Sequence, residues 1–270
     1  MLQANETLGL IAGGGTFPLQ VAEAATTQGY RVVAIAHHGE TDPALADHVD
    51  RIVWVNLGQL GKLIKSLKEN GARKAVMAGT ITKRQMFGRV RPDLKGISLL
   101  SKIAVFHDDG ILRRLADELQ KEGIEIISST ICVPDLLAGS GCLTNRKPTK
   151  GEQEDVRFGW DIAKALGQLD IGQCVVVRRK TVLAVEAIEG TDETILRGGR
   201  LAREKAVVIK VSKPEQDLRF DVPAVGLKTL ETMVTVQASV LVIEAGRTLM
   251  FDKSAMIEYA NTNRITILSQ

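Results

Sequence analysis

Short apolar runs and longer amphipathic stretches take turns almost throughout the 270 residues. That alternation constrains the fold more than any single motif. Runs at 7–12, 31–37, 51–55 and 74–78 are apolar but for residues at their ends, as in strands covered on both faces. Between them, 17–28 and 59–70 read as helices that stop at Gly29 and Gly71. In 59–70, Leu60, Leu63, Ile64 and Leu67 share one face. Residues 108–122 repeat the pattern with Ile111, Leu112, Leu115 and Leu119, capped by Asp108 or Asp109, before a strand at 124–128. Such βα alternation predicts a mostly parallel sheet with helices on both faces.

The second half opens with a helix at 152–166 and Val-rich strands at 174–178 and 181–187. A turn with a short helix (191–200), a strand (206–211) and a helix (228–238) follow. Strands at 240–244 and 248–251 are expected to pair with each other around residues 245–247. A helix at 253–261 and a strand at 265–268 end the chain. The Gly-, Pro- and Lys/Arg-containing stretch 139–151 reads as a linker, which predicts domains at 1–138 and 152–270.

Composition narrows the function. Thirty-five basic residues stand against 32 acidic ones, a formal charge of +3, and aromatic content is 4%. A nucleic-acid footprint needs a larger basic excess and stacking rings, so no nucleic-acid partner is expected. Cys132, Cys142 and Cys174 form no C-x-x-C pair, which excludes a zinc ribbon and suits a reducing cytoplasm. No apolar run approaches the roughly 18 residues of a membrane span. The four histidines form no zinc-protease pattern.

Three regions can carry chemistry. The first is Gly13-Gly14-Gly15-Thr16, between a strand and a helix. Backbone N–H groups in such a turn approach phosphate closely, and the helix N-terminus favours an anion. A tight turn alone would also call for these glycines. The dinucleotide fingerprint is broken, because Pro18 replaces its last glycine. The next strand also runs into His37-His38 rather than an acid for a ribose. The second region, 83–102, mixes Lys83, Arg84, Arg89, Arg91, Lys95 and Lys102 with Met86, Phe87, Leu94, Ile97, Leu99 and Leu100 around one acid, Asp93. It suits an anionic amphiphile or membrane surface, or is simply a solvated face. The third holds Glu186, Glu189, Asp192 and Glu193 after one strand, and Lys210, Lys213, Asp217, Arg219 and Asp221 after another. Carboxylates can hold Mg²⁺ beside phosphate oxygens, and lysines can take phosphate charge. Surface turns would account for the same acids.

The combination of Glu186-Ala-Ile-Glu-Gly-Thr-Asp192 with Phe220-Asp-Val-Pro-Ala-Val-Gly226 resembles the UDP-2,3-diacylglucosamine pyrophosphatases of the alternative lipid A route. Residues 9–18, Ala36-His-His-Gly-Glu-Thr41 and 157–166 extend the resemblance along the chain. It implies two α/β domains, the first Rossmann-like. It also implies hydrolysis of the substrate pyrophosphate to UMP and 2,3-diacylglucosamine 1-phosphate (lipid X), with Mg²⁺ as cofactor. A cytoplasmic homodimer in peripheral contact with the inner membrane is the matching expectation.

By motif, the family's key aspartate falls on Asp221. On this reading Asp221, Asp192 and Lys213 are catalytic, and Asp221, Glu189 and Glu186 face the metal. Gly13, Gly14, Gly15, Thr16, Thr191, Lys210 and Asp217 then bind substrate. Two other readings stay open: an NAD-type sugar enzyme built on the glycine turn, and a non-catalytic lipid- or nucleotide-binding module.

Overall fold

The computed structural model describes residues 6–82, 92–101 and 108–270. Lys83, Arg84, Met86, Phe87, Arg89, Arg91 and Lys102 of the basic stretch lie outside the described residues. The chain forms two compact units. Unit 1 is Met1–Pro134 with Asp217–Asp221, and unit 2 is Asp135–Gln216 with Val222–Gln270.

In unit 1, β1 (Thr7–Ala12), β2 (Arg31–His37), β3 (Arg51–Val55), β4 (Lys74–Ala78) and β5 (Glu125–Ile126) form a sheet in the order β3-β2-β1-β4-β5. Every pairing is parallel. The helices are α1 (Phe17–Thr27), α2 (Leu60–Glu69), α3 (Leu94–Ser101) and α4 (Asp108–Lys121). The predicted stripe of α2 is buried, with Leu67 wholly inaccessible, against Ile11, Ile35, Val55 and Leu119. Each such side chain contributes about 2 kcal/mol.

Asp93, the one acid of the basic stretch, caps two helices at once. Its Oδ2 accepts the N–H groups of Gly61 (2.7 Å) and Lys62 (3.2 Å) at the start of α2. Its Oδ1 accepts that of Gly96 (2.9 Å) in α3. Orphan donors at two N-termini are satisfied by one carboxylate.

Residues Asp217–Asp221 belong with unit 1 for a visible reason. Ser128 Oγ donates to the Leu218 carbonyl at 2.8 Å, and Phe220 packs on the core around Leu63 and Leu119. Sequence had placed this segment in the C-terminal domain.

Unit 2 is built on a mixed sheet, ordered β6-β13-β11-β9-β7-β8. Its strands are β6 (Gly141–Cys142), β7 (Cys174–Arg178), β8 (Thr181–Val185), β9 (Val207–Lys210), β11 (Val240–Ile243) and β13 (Thr266–Ser269). β9, β11 and β13 run parallel, while β6, β7 and β8 pair antiparallel to their neighbours. Helix α5 (Lys150–Gln168) covers one face through Val156 and Ala163. Helices α6 (Thr191–Ala202), α7 (Leu227–Thr235) and α8 (Lys253–Thr262) cover the other through Ile195, Met233 and Met256.

Two expectations need correction here. β12 (Leu249–Met250) pairs in parallel with β10 (Ala224–Val225), not with the strand before it. The reach of main chain around 223–225 decides this, since Leu249 N–H donates to the Pro223 carbonyl. The supposed linker 139–151 is also part of unit 2. It supplies β6, and Thr149 with Glu152 forms a reciprocal capping box at the start of α5. Arg146 is bidentate to Glu152 (2.6 and 2.9 Å) and donates to Thr266 Oγ1 at 2.7 Å.

Burial alone would raise the pKa of Glu152. Hydrogen bonds from Arg146, Ser239 and Thr149 outweigh it and hold the carboxyl below its ordinary value. Glu152→Gln should therefore cost about 3 kcal/mol at pH 7, because it strands a largely buried guanidinium. A depressed carboxylate stabilises the fold above its unfolded pKa and loses that contribution as pH falls through the folded value. Urea unfolding should show the gap between parent and variant narrowing once pH drops below about 4.

Candidate functional site

In unit 1 the chain leaves β1 toward β2 and β3 on one side, then returns to β4 on the other. The switch between β1 and β4, at the carboxyl ends of these strands, is the usual ligand position in such sheets. The glycine turn sits there. Gly13 N–H donates to the Ala78 carbonyl (2.8 Å) and Gly14 N–H to the Thr80 carbonyl (2.7 Å). A side chain on Gly13 would meet Thr80 backbone atoms at 2.5–2.9 Å. Gly13 is thus needed for packing against the 79–80 turn, whereas a side chain on Gly14 would first meet the Glu40 carbonyl at 3.1 Å. Gly15, at φ +85° with open space around it, and Thr16 are the members whose N–H groups meet no acceptor among the described residues. Thr16 precedes α1, and its hydroxyl makes no capping bond.

His37 and Thr41 fix this turn from below. His37 Nδ1 donates to the Ala12 carbonyl at 2.9 Å, and Thr41 Oγ1 donates to the same oxygen at 2.7 Å. Burial pushes the His37 imidazole below its usual pKa, so at neutral pH it is an uncharged donor. Glu40 folds back beside them. Its Oε1 accepts from Thr82 N–H (3.1 Å) and Oγ1 (2.5 Å), and its Oε2 lies 3.4 Å from where a Gly14 side chain would begin. Sequence reasoning assigned nothing to Glu40, Thr80 or Thr82. An acid three residues past a strand reads as loop, and only the tight turn at 37–41 brings it back.

In unit 2, Glu186 and Lys210 are both buried, at 8% and 9% exposure. Glu186 accepts from Thr191 Oγ1 (2.8 Å) and from Gln173 N–H (3.1 Å). Lys210 donates to the Ala224 carbonyl at 2.8 Å, and no carboxylate pairs with it among the described residues. With Asp192, these groups surround Cys174, whose thiol burial pushes far up. Glu186, Thr191, Asp192 and Lys210 are thereby brought together, by the strand pairing of Cys174 with Lys210 and the start of α6. An ammonium beside a fixed carboxylate and hydroxyl can neutralise a phosphate and order a water.

Other expected residues have different partners. Glu189 is turned to Arg197 (2.5 Å) and is held below its usual pKa by its own N–H and that guanidinium. Asp192 also pairs with Lys228 at 3.2 Å. Lys213 pairs with Asp170 at 2.6 Å. Asp217 is bidentate to Arg219 (2.9 and 2.6 Å), which keeps its carboxyl low. Asp221, half-buried, donates its N–H to the Asp217 carbonyl at 3.0 Å. Glu186, Glu189 and Asp221 were expected to share a metal. Among the described residues no group of three or more His, Cys, Asp or Glu side chains gathers around one point.

Residues 7–136 match the LpxI N-terminal domain, and residues 139–268 match the LpxI C-terminal domain. A UDP-2,3-diacylglucosamine pyrophosphatase LpxI from Caulobacter vibrioides is 34% identical over 274 residues, spanning 97% of this chain and 96% of its own. Among solved structures, the ADP complex of purK, N5-carboxyaminoimidazole ribonucleotide synthetase, aligns at TM-score 0.30 and 15% identity, over 71% of this chain and 41% of that one. An N5-carboxyaminoimidazole synthetase from Staphylococcus aureus aligns at 0.28 and 15%, over 77% and 47%. At such scores neither bears on function, and this chain spans less than half of either.

The glycine turn gives a direct test of its two halves. Gly13→Ala should destabilise by about 1–3 kcal/mol or more, because rigid backbone blocks the methyl group. Gly15→Ala should cost only about 1–2 kcal/mol, from the left-handed backbone alone. Urea midpoints of the two variants should separate in that order.

Proposed function

This chain belongs to the LpxI family, and we propose that it acts as a UDP-2,3-diacylglucosamine pyrophosphatase in lipid A biosynthesis, water opening the anhydride to give UMP and 2,3-diacylglucosamine 1-phosphate. The reading is carried by a likeness that runs the length of the chain and takes in both strand-end sites. Water oxygen forms one new bond to phosphorus. The bridging P–O bond breaks, and the bridging oxygen leaves with the other phosphate.

Within this proposal Gly15 and Thr16 receive a phosphate of the UDP portion on their N–H groups. Asp221 takes the proton from the attacking water, as the family motif at that position suggests. In unit 2, Lys210 keeps ammonium N–H bonds for an anion while one holds the Ala224 carbonyl. Glu186 accepts from the Thr191 hydroxyl beside it. Asp217 and Lys213, already closed in ion pairs, serve by shaping the loop between β9 and β10.

Magnesium enters this scheme as the counter-ion of the substrate's pyrophosphate. Mg²⁺ commonly binds through substrate phosphates plus one or two carboxylates, so it needs no cage in the free protein. No helix of the described residues is long and apolar enough to cross a membrane. We place the protein in the cytoplasm as a homodimer that meets its acylated substrate at the inner membrane surface. Ile188, 95% exposed on the turn beside Glu186, supports such a contact.

Purified protein with UDP-2,3-diacylglucosamine and Mg²⁺ should release UMP and lipid X together, and EDTA should stop both. Folded protein that releases neither would reject the assignment. Asp221→Ala should lower kcat by roughly 10²–10⁴ with substrate binding largely kept, the range for loss of a general base. The thermal midpoint without substrate should be the same in EDTA as in Mg²⁺. A ligand stabilises a protein only where the folded state binds it.

A further inference from the structure

The carboxyl end of the unit 1 sheet carries two groups that the phosphate site does not use. The first is a ring pair. His38, exposed just after β2, stacks on Trp54 near the end of β3, with centroids 5.3 Å apart and planes 25° from parallel. His38 N–H donates to the Val55 carbonyl at 3.0 Å, which fixes the backbone under the pair. One face of Trp54 is taken by His38, and the outer side of His38 is open to solvent. The second is the Glu40 carboxylate. Thr82 holds its Oε1, while Oε2 has no protein donor and no cation pairs with the group among the described residues.

Their order across the sheet is informative. The glycine turn follows β1, Glu40 follows β2, and Trp54 lies one residue before the end of β3. Neighbouring strands lie about 4.8 Å apart, so the glycine turn and the ring pair are separated by about 10 Å. That matches the reach of a nucleoside 5′-phosphate from its phosphate to its base. In parallel sheets of this kind an acid beyond the second strand holds ribose hydroxyls. Stacking on aromatic rings is the common way to hold a base.

We propose that Glu40 Oε2 accepts the ribose hydroxyls of the uridine half of the substrate, and that the His38–Trp54 stack carries its uracil. This rests on the pyrophosphatase reading for the identity of the base. It adds three residues that read the nucleoside, none of them in contact with the bond that breaks.

Trp54 and Trp160 are the chain's two tryptophans, so a Trp160→Phe background leaves Trp54 as the sole indole emitter. UMP should quench its emission saturably. His38→Ala should weaken UMP binding about tenfold, as loss of a stacking ring does. UMP should bind about tenfold more tightly than its 2′,3′-dideoxy analogue, as expected for hydrogen bonds to a charged acceptor. Glu40→Gln should shrink that difference. The analogue comparison in the Trp160→Phe protein needs no change at the site itself. Absence of quenching at UMP concentrations that inhibit turnover would overturn the proposal, as would equal affinity for UMP and the analogue. Quenching in a protein that cannot hydrolyse the lipid substrate would support the nucleoside site and reject the activity. Hydrolysis with KM unmoved by His38→Ala and Glu40→Gln would do the reverse.

Discussion

The carbonyl oxygen of Ala12 accepts two side-chain donors, His37 Nδ1 and Thr41 Oγ1, at the end of the central strand of unit 1. Without them that oxygen would end a strand in a buried place with too few partners, a costly state. With them, the backbone is held where β1 turns away. Gly13 and Gly14 can then press against the 79–80 turn, and Gly15 and Thr16 face outward. The left-handed bend at Gly15, the aim of α1 and the return of Glu40 all follow from that fixed point. Burial keeps the His37 imidazole below its usual pKa, so it serves as a neutral donor at neutral pH.

Much of the scaffold was legible in sequence. Strands covered on both faces are runs of Val, Ile and Ala, so β1 to β4, β7, β9, β11 and β13 announce themselves. Helix α2 announces itself by its stripe, because one face is buried. What escaped was long-range or reciprocal. Nothing local shows that Asp93 caps a helix that begins some thirty residues earlier. Nothing local shows that β12 seeks β10. Thr149 and Glu152 carried a capping-box signature, yet the glycines and prolines around them read as linker.

The site shows the same division. Glu186, Thr191, Asp192 and Lys210 were nameable because they follow strands or open a helix. Their partners were not. Glu189 and Asp217 look equivalent to Glu186 as letters, but each is matched by an arginine that the sequence does not mark as its own. A carboxylate held by a guanidinium is a structural group first. Glu40 is the opposite case: an unremarkable loop acid that a five-residue turn returns to the side of the glycine turn. Electrostatic partnership sets Glu189 and Asp217 apart from Glu186 more than their position after a strand does.

The excursion of Asp217–Asp221 into unit 1 has a consequence for synthesis. The N-terminal unit is not a contiguous stretch of polypeptide. When Pro134 leaves the ribosome, its sheet can form, but Phe220 is still absent from the core it helps to fill. At about 5–20 residues per second, the missing segment arrives on the order of ten seconds later. During that interval the nascent domain carries an apolar gap beside Leu63 and Leu119. Folding of the two halves is therefore coupled through chain connectivity. A gene split between them would yield a first half that never acquires its last core side chain.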